Sequence, residues 1–292
     1  MPLSYALITP ARDEAENLRR LADCLAGQTV PPAAWVVVDN GSGADTHIVL
    51  EQLATELPWF LWVDSPPTAR PLPGGPIVRA FHRGLEEIAA DVDVVVKLDA
   101  DVSFAPDHFE RLLEAFKGDP GLGIAGSTCL ELENGHWRPI HVTGDHVRGA
   151  VRAYRRACLD AVVPLPECVG WDGVDELKAQ VLGWSTGLVP GLSFRHHRKL
   201  GARDAGKYAR WVAQGRGAHF MGYRPLYLLL RVLHHMRRDR GALGMLWGYA
   251  EATARREPVY EDTLVREHLR SQQSLRRLHV RAREALGRRR VD

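Results

Sequence analysis

Cysteine is scarce and scattered: Cys24, Cys129, Cys158 and Cys168 form no C-x-x-C pair. That argues against a cysteine zinc site and a disulfide framework, and it fits a reducing cytosol. Long apolar runs are missing too. Nothing approaches the roughly 18 uninterrupted apolar residues of a membrane span, and the most apolar stretch, 225–233, is short and contains Arg231. Residues 1–10 show neither a basic start nor a cleavage pattern, so no secretory leader is expected. No G-x-G-x-x-G follows the first apolar run, and no G-x-x-x-x-G-K-[ST] occurs. The dinucleotide fingerprint and the P-loop are therefore both excluded. Internal repeats and low-complexity segments are absent. Net charge is low, +2 over 292 residues, but it is uneven. From residue 264 to 292 nine arginines face three acids, a net +6, which leaves the body at about −4. A basic tail on a slightly acidic body suits an anionic surface as partner.

What is present reads as alternating strands and helices. Residues 5–10 are a short apolar run stopped by Pro10, and Leu18, Leu21 and Leu25 then mark one helical face. Residues 35–38 form a second buried run, ending at Asp39-Asn40-Gly41-Ser42. Helix and strand follow at 46–57 and 60–63. This β-α-β-α-β order predicts a parallel sheet. A Pro/Gly-rich loop at 68–76 leads to a helix over 77–89, whose Arg79 and Arg83 lie one turn apart and could reach a nucleotide. A helix at 106–116 and a strand at 121–132 come next. Residues 136–147 read as irregular, 150–161 as strand turning into helix, 172–182 as helix and 187–194 as a last strand. Beyond about 200 the pattern turns helical and rich in Arg, Trp and Tyr. The expected division is therefore 1–200, a catalytic α/β domain, and 201–292, a helical extension.

The richest stretch is Val94-Val95-Val96-Lys97-Leu98-Asp99-Ala100-Asp101. Side chains two apart on a strand point the same way. Asp99 and Asp101 should thus leave the strand end together, at the edge where open α/β sheets place ligands. Two hard carboxylates there suit Mg2+ or Mn2+, shared with a substrate's phosphates. An Asp-rich turn is the plainer alternative.

Four motifs in order decide between these. Ile8-Thr9-Pro10-Ala11-Arg12-Asp13-Glu14, Val37-Val38-Asp39-Asn40-Gly41-Ser42, Leu98-Asp99-Ala100-Asp101, and Trp171-Asp172-Gly173-Val174-Asp175-Glu176 with Gly183-Trp184 resemble the motifs of family 2 glycosyltransferases. The resemblance covers about residues 4–200. It continues more loosely through His196-His197-Arg198, Gly222-Tyr223-Arg224-Pro225 and Gly248-Tyr249, as in bacterial members that build surface polysaccharides and glycolipids. It implies the GT-A fold, an α/β Rossmann-like, mostly parallel sheet, here with a C-terminal helical extension. It implies an inverting transfer from a nucleotide-diphosphate sugar to a saccharide or lipid-linked acceptor, with Mn2+ or Mg2+ as cofactor. Thr9, Pro10, Ala11, Arg12 and Glu14 would line the nucleotide pocket with Arg79. Asp39 would meet the base, Asp99 the ribose or the metal, and Asp101 the metal, with His196 or His197 as a further ligand. The general base lies at the start of the helix after Trp171 and is open between Asp172 and Asp175. Asp172 is expected to cap that helix, which favours Asp175 as base. A scaffold that binds nucleotide sugars without reaction, and a sugar-phosphate nucleotidyltransferase, are the alternatives. The expected setting is the cytoplasm, with the tail on the inner face of a membrane and no nucleic-acid partner.

Overall fold

The computed structural model describes residues 3–65, 74–89, 91–140, 146–198, 206–237 and 239–274. The elements run β1 (Tyr5–Ala11), α1 (Ala15–Ala26), β2 (Ala34–Asp39), α2 (Ala44–Glu56), β3 (Phe60–Asp64), α3 (Gly75–Leu85), β4 (Val94–Leu98) and β5 (Val102–Phe104). Then come α4 (His108–Gly118), β6 (Leu122–Glu133), β7 (His136–Pro139), β8 (Val151–Arg155), α5 (Arg156–Val162), α6 (Trp171–Val181) and β9 (Ser185–His196). The chain continues as α7 (Gly206–Phe220), α8 (Pro225–Met236), α9 (Gly244–Ala254) and α10 (Thr263–Gln272).

The strands make one sheet in the order β3-β2-β1-β4-β8-β6-β9-β5, with β7 paired to β6. The half built from β3, β2, β1 and β4 is wholly parallel, so its strand ends share one edge. At β8 the direction reverses: β8 runs antiparallel to both β4 and β6, while β6 and β9 are parallel. Period-two patterning sorts the apolar side chains into two layers. Leu7, Trp35, Val37, Val94 and Val96 face one core with α1, α2 and α4. Ala6, Ile8, Val36, Val38 and Val95 face the other with α3, α5 and α6. Helix α3 lies so close to the sheet that a Cβ on Gly84 would come within 2.5 Å of Ile8 Cγ2.

The C-terminal helices carry their own apolar cluster of Trp211, Ala218, Leu228, Val232, Ala242 and Met245. Helix α10 instead docks on α6, through Val265 and Leu269 against Leu177. Two strands fall where none was expected. β5 lies immediately after Asp101, and β7 occupies part of the stretch read as irregular. Both are short, and both gain their pairing from the long strands β9 and β6 rather than from local pattern. The arginine-rich stretch from 275 onward, together with Lys199 and Arg238, lies outside the described residues.

Candidate functional site

The parallel half delivers Asp39, Asp99 and Asp101 to one edge. On β4, Lys97 and Asp99 are two apart and therefore on one side, and the Lys97 ammonium forms a salt bridge with the Asp99 carboxylate. Burial raises the pKa of Asp99 above the ordinary carboxylate range, against the pull of Lys97. Asp101 is nearly buried and lies 3.2 Å from His196 Nε2 and 3.7 Å from Arg198 Nε. Burial pushes its carboxyl up, but His196 and Arg198 outweigh that and the net shift is downward. Asp99, Asp101 and His196 each offer a ligand atom, and these atoms lie within 4.8 Å of one another. Two carboxylates and an imidazole are a donor set that fits Mn2+ or Mg2+. His197 points elsewhere: its Nε2 is 2.7 Å from Ser103 Oγ, and its ring meets Trp137 edge-on.

The loops after β1 and β2 are stapled together. Asp39 is 1% exposed and accepts hydrogen bonds from Ser42 Oγ and, at 3.1 Å, from Ser42 N–H, with His47 Nε2 at 3.2 Å. Burial raises its pKa, but these bonds outweigh it and the carboxyl ends below its ordinary value. Asp13 N–H donates to Ser42 Oγ at 2.9 Å, and Gly43 N–H to Asp13 Oδ1 at 2.9 Å. Glu14 is clamped by both arms of Arg198, at 2.8 and 2.7 Å, tying the first loop to the end of β9.

A second polar cluster surrounds the start of α6. Gly170 stands at its N-cap with φ 84°, and no side chain caps the helix. The expected cap role of Asp172 is therefore corrected: Asp172 is inside the first turn, and a left-handed glycine sets the helix entrance instead. Its carboxylate is about a quarter exposed and lies 3.6 Å from His146 Nε2. His146 Nδ1 is 2.6 Å from Glu176 Oε2. Burial raises the Asp172 pKa, but His146 dominates and holds it at about 2. Burial lowers that of His146, yet its two carboxylate neighbours push it up to about 10.

Asp175 is in a different place. Its side chain is 0% exposed. Arg152 donates to it from Nη2 at 2.5 Å and from Nε at 2.9 Å, and Tyr154 Oη–H donates at 2.5 Å. Enclosed on every side, it cannot touch an acceptor, so the expectation that Asp175 is the base does not fit the geometry. Arg152 also donates to Asp172 O at 2.8 Å and Val147 O, which fixes the turn of chain before β8 against α6.

One short link joins the two clusters. Asp99 N–H donates to Ala150 O at 2.8 Å, and the N–H of the neighbouring Gly149 lies near enough to the Asp172 carboxylate to help hold it ionised. A Cβ on Gly149 would lie 3.0 Å from the Trp171 ring and 3.5 Å from Asp172 Oδ2. The exposed carboxylate of α6 thus sits one dipeptide away from the strand-end aspartates.

Of the expected pocket residues, Thr9, Ala11 and Arg79 have their side chains engaged elsewhere. Thr9 is 0% exposed, and its hydroxyl accepts from Trp35 Nε1–H at 2.9 Å. Ala11 packs in the core, Pro10 is half-buried and Arg12 is exposed. Arg79 pairs with Glu167, and Arg83 with Glu86 and Glu87. The buried Lys97, Arg152 and Tyr154 and the bridging His146 went unnoticed in the sequence. A charge inside an apolar strand, as in Val-Val-Val-Lys-Leu and Val-Arg-Ala-Tyr-Arg, was the available signal for the first three.

Residues 6–155 match the model of the family described as glycosyl transferase family 2. The chain belongs to glycosyl transferase family 2. Among curated proteins this glycosyltransferase is similar to the succinoglycan biosynthesis protein ExoA of Rhizobium meliloti (strain 1021), with 30% identity over 112 residues. The match takes in 38% of this chain and 32% of ExoA, so it spans about a third of that relative's length. Among solved structures, S. aureus TarS in complex with UDP-GlcNAc superposes with a TM-score of 0.62 at 15% identity, covering 98% of this chain and 92% of that one. The mannosyltransferase PcManGT of Pyrobaculum calidifontis, in complex with GDP-Man and Mn2+, gives 0.58 at 16% identity, covering 98% and 85%. These neighbours share the GT-A fold of this chain.

Proposed function

We propose that this family 2 glycosyltransferase is metal-dependent and inverting, with a nucleotide-diphosphate sugar as donor and a saccharide or lipid-linked acceptor of surface polysaccharide or glycolipid synthesis. The observation that carries the reading is the link just described: a carboxylate and imidazole cluster joined through Gly149-Ala150 to an accessible carboxylate.

Asp99, Asp101 and His196 would hold Mn2+ or Mg2+. Such an ion, when bound, neutralises charge that develops on a leaving diphosphate. The chain's own residues do the rest. Asp39, enclosed by Ser42 and His47, shapes the loop after β2 that would receive the base of the nucleotide rather than contacting the base itself. The Glu14–Arg198 clamp fixes the pocket's floor beside Asp101. Asp172 is the general base: it takes the proton of the acceptor hydroxyl as that oxygen attacks the anomeric carbon, and a single displacement inverts the centre. His146 keeps Asp172 ionised and aimed, and Arg152 with Asp175 keeps α6 in place. The catalytic unit is 1–200. The helices beyond form an extension whose apolar cluster is its own.

That extension meets an anionic membrane. On α8, Leu226, Leu229, Leu230 and Leu233 are all exposed, and they recur at the spacing of one helical face, while Leu228 and Val232 face inward. Exposed Arg224, Arg237 and Arg240 flank the stripe. No helix among the described residues is long and apolar enough to cross a bilayer, so the contact is peripheral, at the inner face of the cell membrane.

The test is incubation of the purified protein with UDP-, GDP- and dTDP-sugars and Mn2+. Slow release of nucleoside diphosphate, abolished by a chelator, is expected with one of them. Pyrophosphate release would mark a nucleotidyltransferase instead, and no release from any donor would favour a scaffold.

A further inference from the structure

Strands β6 and β9 run parallel with Glu131 opposite His196 and Cys129 opposite Phe194. Cys129 and Glu131 are two apart on β6 and so share a face. That face carries His196: one ligand atom each from Cys129, Glu131 and His196 lies within 4.8 Å of the others. His196 therefore belongs to two clusters. Its Nε2 faces Asp101 at 3.2 Å. Its Nδ1 is buried and finds no hydrogen-bond partner among the described residues, and neither does the buried Glu131 Oε1. An unpaired buried donor and an unpaired buried acceptor are both costly, and here they belong to residues directly opposite each other on paired strands.

We propose that Glu131 is the positioning residue of His196: once a cation takes Nε2, the Glu131 carboxylate closes on the Nδ1–H of the imidazole, a hydrogen bond not made in the structure as it stands, and so fixes the ring that joins Asp99 and Asp101 around the cation. This rests on the metal reading of the site. The physical reason is tautomer control. A neutral imidazole carries one proton, and only the Nδ1–H form leaves Nε2 free to ligate. A carboxylate behind the ring selects that form, locks the ring's orientation and makes the ligating nitrogen more basic. The pair supplies this without any side chain from the donor pocket, because both residues sit on paired strands of the sheet. Cys129, whose thiol approaches the ring closely enough to favour its charged form, is a weaker acceptor than a carboxylate.

The experiment uses the full chain and reads Mn2+ binding in the presence of UDP, by the loss of the free Mn2+ paramagnetic-resonance signal. Glu131→Gln should weaken Mn2+ by about 10- to 100-fold, the usual cost of losing an outer partner, with an unchanged melting temperature. Glu131→Asp should restore part of the affinity, and Cys129→Ser should leave it within about threefold. His196→Ala serves as the reference. If His196→Ala weakens Mn2+ while Glu131→Gln does not, the Glu131 assignment is wrong and the metal reading stands. If His196→Ala also binds Mn2+ normally, the metal reading itself fails. Loss of affinity in Cys129→Ser but not in Glu131→Gln would assign the outer role to the thiol and overturn the proposal.

Discussion

Asp172 and Asp175 stand three residues apart on one helix, and their surroundings give them opposite tasks. Asp172 keeps about a quarter of its side chain exposed, while Asp175 is consumed by Arg152 and Tyr154. Asp172→Asn should lower transfer by roughly 10²- to 10⁴-fold and leave donor affinity nearly unchanged. Asp175→Asn should instead leave the Arg152 guanidinium buried without its main counter-charge, costing about 3–5 kcal/mol of stability. Transfer assays beside urea unfolding separate the two; a stable, inactive Asp175→Asn that still binds donor would exchange the roles. The His146 pairing adds a dependence on pH. Asp172 is held at about 2, below its unfolded value, so its contribution exists above the ordinary carboxylate range and is lost only as pH falls through about 2. His146 is held up at about 10, so its contribution is complete below about 6.5 and is lost as pH rises through about 10. The stability gap between wild type and His146→Gln should therefore be widest near pH 5 and shrink steadily between pH 7 and 10. A gap that stays constant over that range would disprove the pairing.

Among the elements, periodicity was legible wherever burial follows locally from sequence. The alternation that sends Leu7 to one core and Ile8 to the other is written in β1 itself, and the Asp99/Asp101 placement follows from the same two-residue repeat. The base was not legible. Choosing Asp175 assumed a side-chain cap, whereas Gly170 in a left-handed turn begins α6, and the partner that buries Asp175 comes from β8, some twenty residues earlier. Thr9 misled for a related reason: its neighbour Trp35 lies on another strand. The helical extension shows what glycine does where local pattern is silent. Helices α7 and α9 touch backbone to backbone, and a Cβ on Gly215 would strike Met245 O, one on Gly248 the Val212 O. Gly248→Ala should separate them at a cost of about 1–3 kcal/mol. Chemical denaturation would show this as a lowered midpoint, and an unshifted midpoint would mean the helices can part without loss.

At the scale of the whole molecule, charge and apolar surface coincide on one segment. Between residues 206 and 250 eight Lys or Arg face a single acid, Asp239, and Asp239 is already engaged by Trp211 Nε1–H and Gly241 N–H. Each basic group near an anionic surface contributes roughly 1 kcal/mol, screened by salt, and each inserted leucine up to about 1.5–3 kcal/mol. The protein should co-sediment with phosphatidylserine-containing vesicles at low salt. Leu229→Glu with Leu233→Glu should reduce the bound fraction by tenfold or more. Equal recovery of wild type with neutral and anionic vesicles would rule the surface out, and a dimer in sedimentation equilibrium that the double change dissolves would make a second copy its occupant.

The dipeptide Gly149-Ala150 has a consequence for how such an enzyme can change over generations. Asp99 and Asp172 are spaced by two adjacent residues at the seam between the parallel and antiparallel halves of the sheet, through the Asp99 N–H bond to Ala150 O and the close approach of Gly149 to the Asp172 carboxylate. The backbone part of that spacing does not depend on side-chain identity in the loops, while the His146 side chain adds to it by holding Asp172. On the proposed mechanism, a lineage carrying this seam is free to try new sugars and new acceptors at its periphery while the distance between departing diphosphate and proton acceptor is largely inherited.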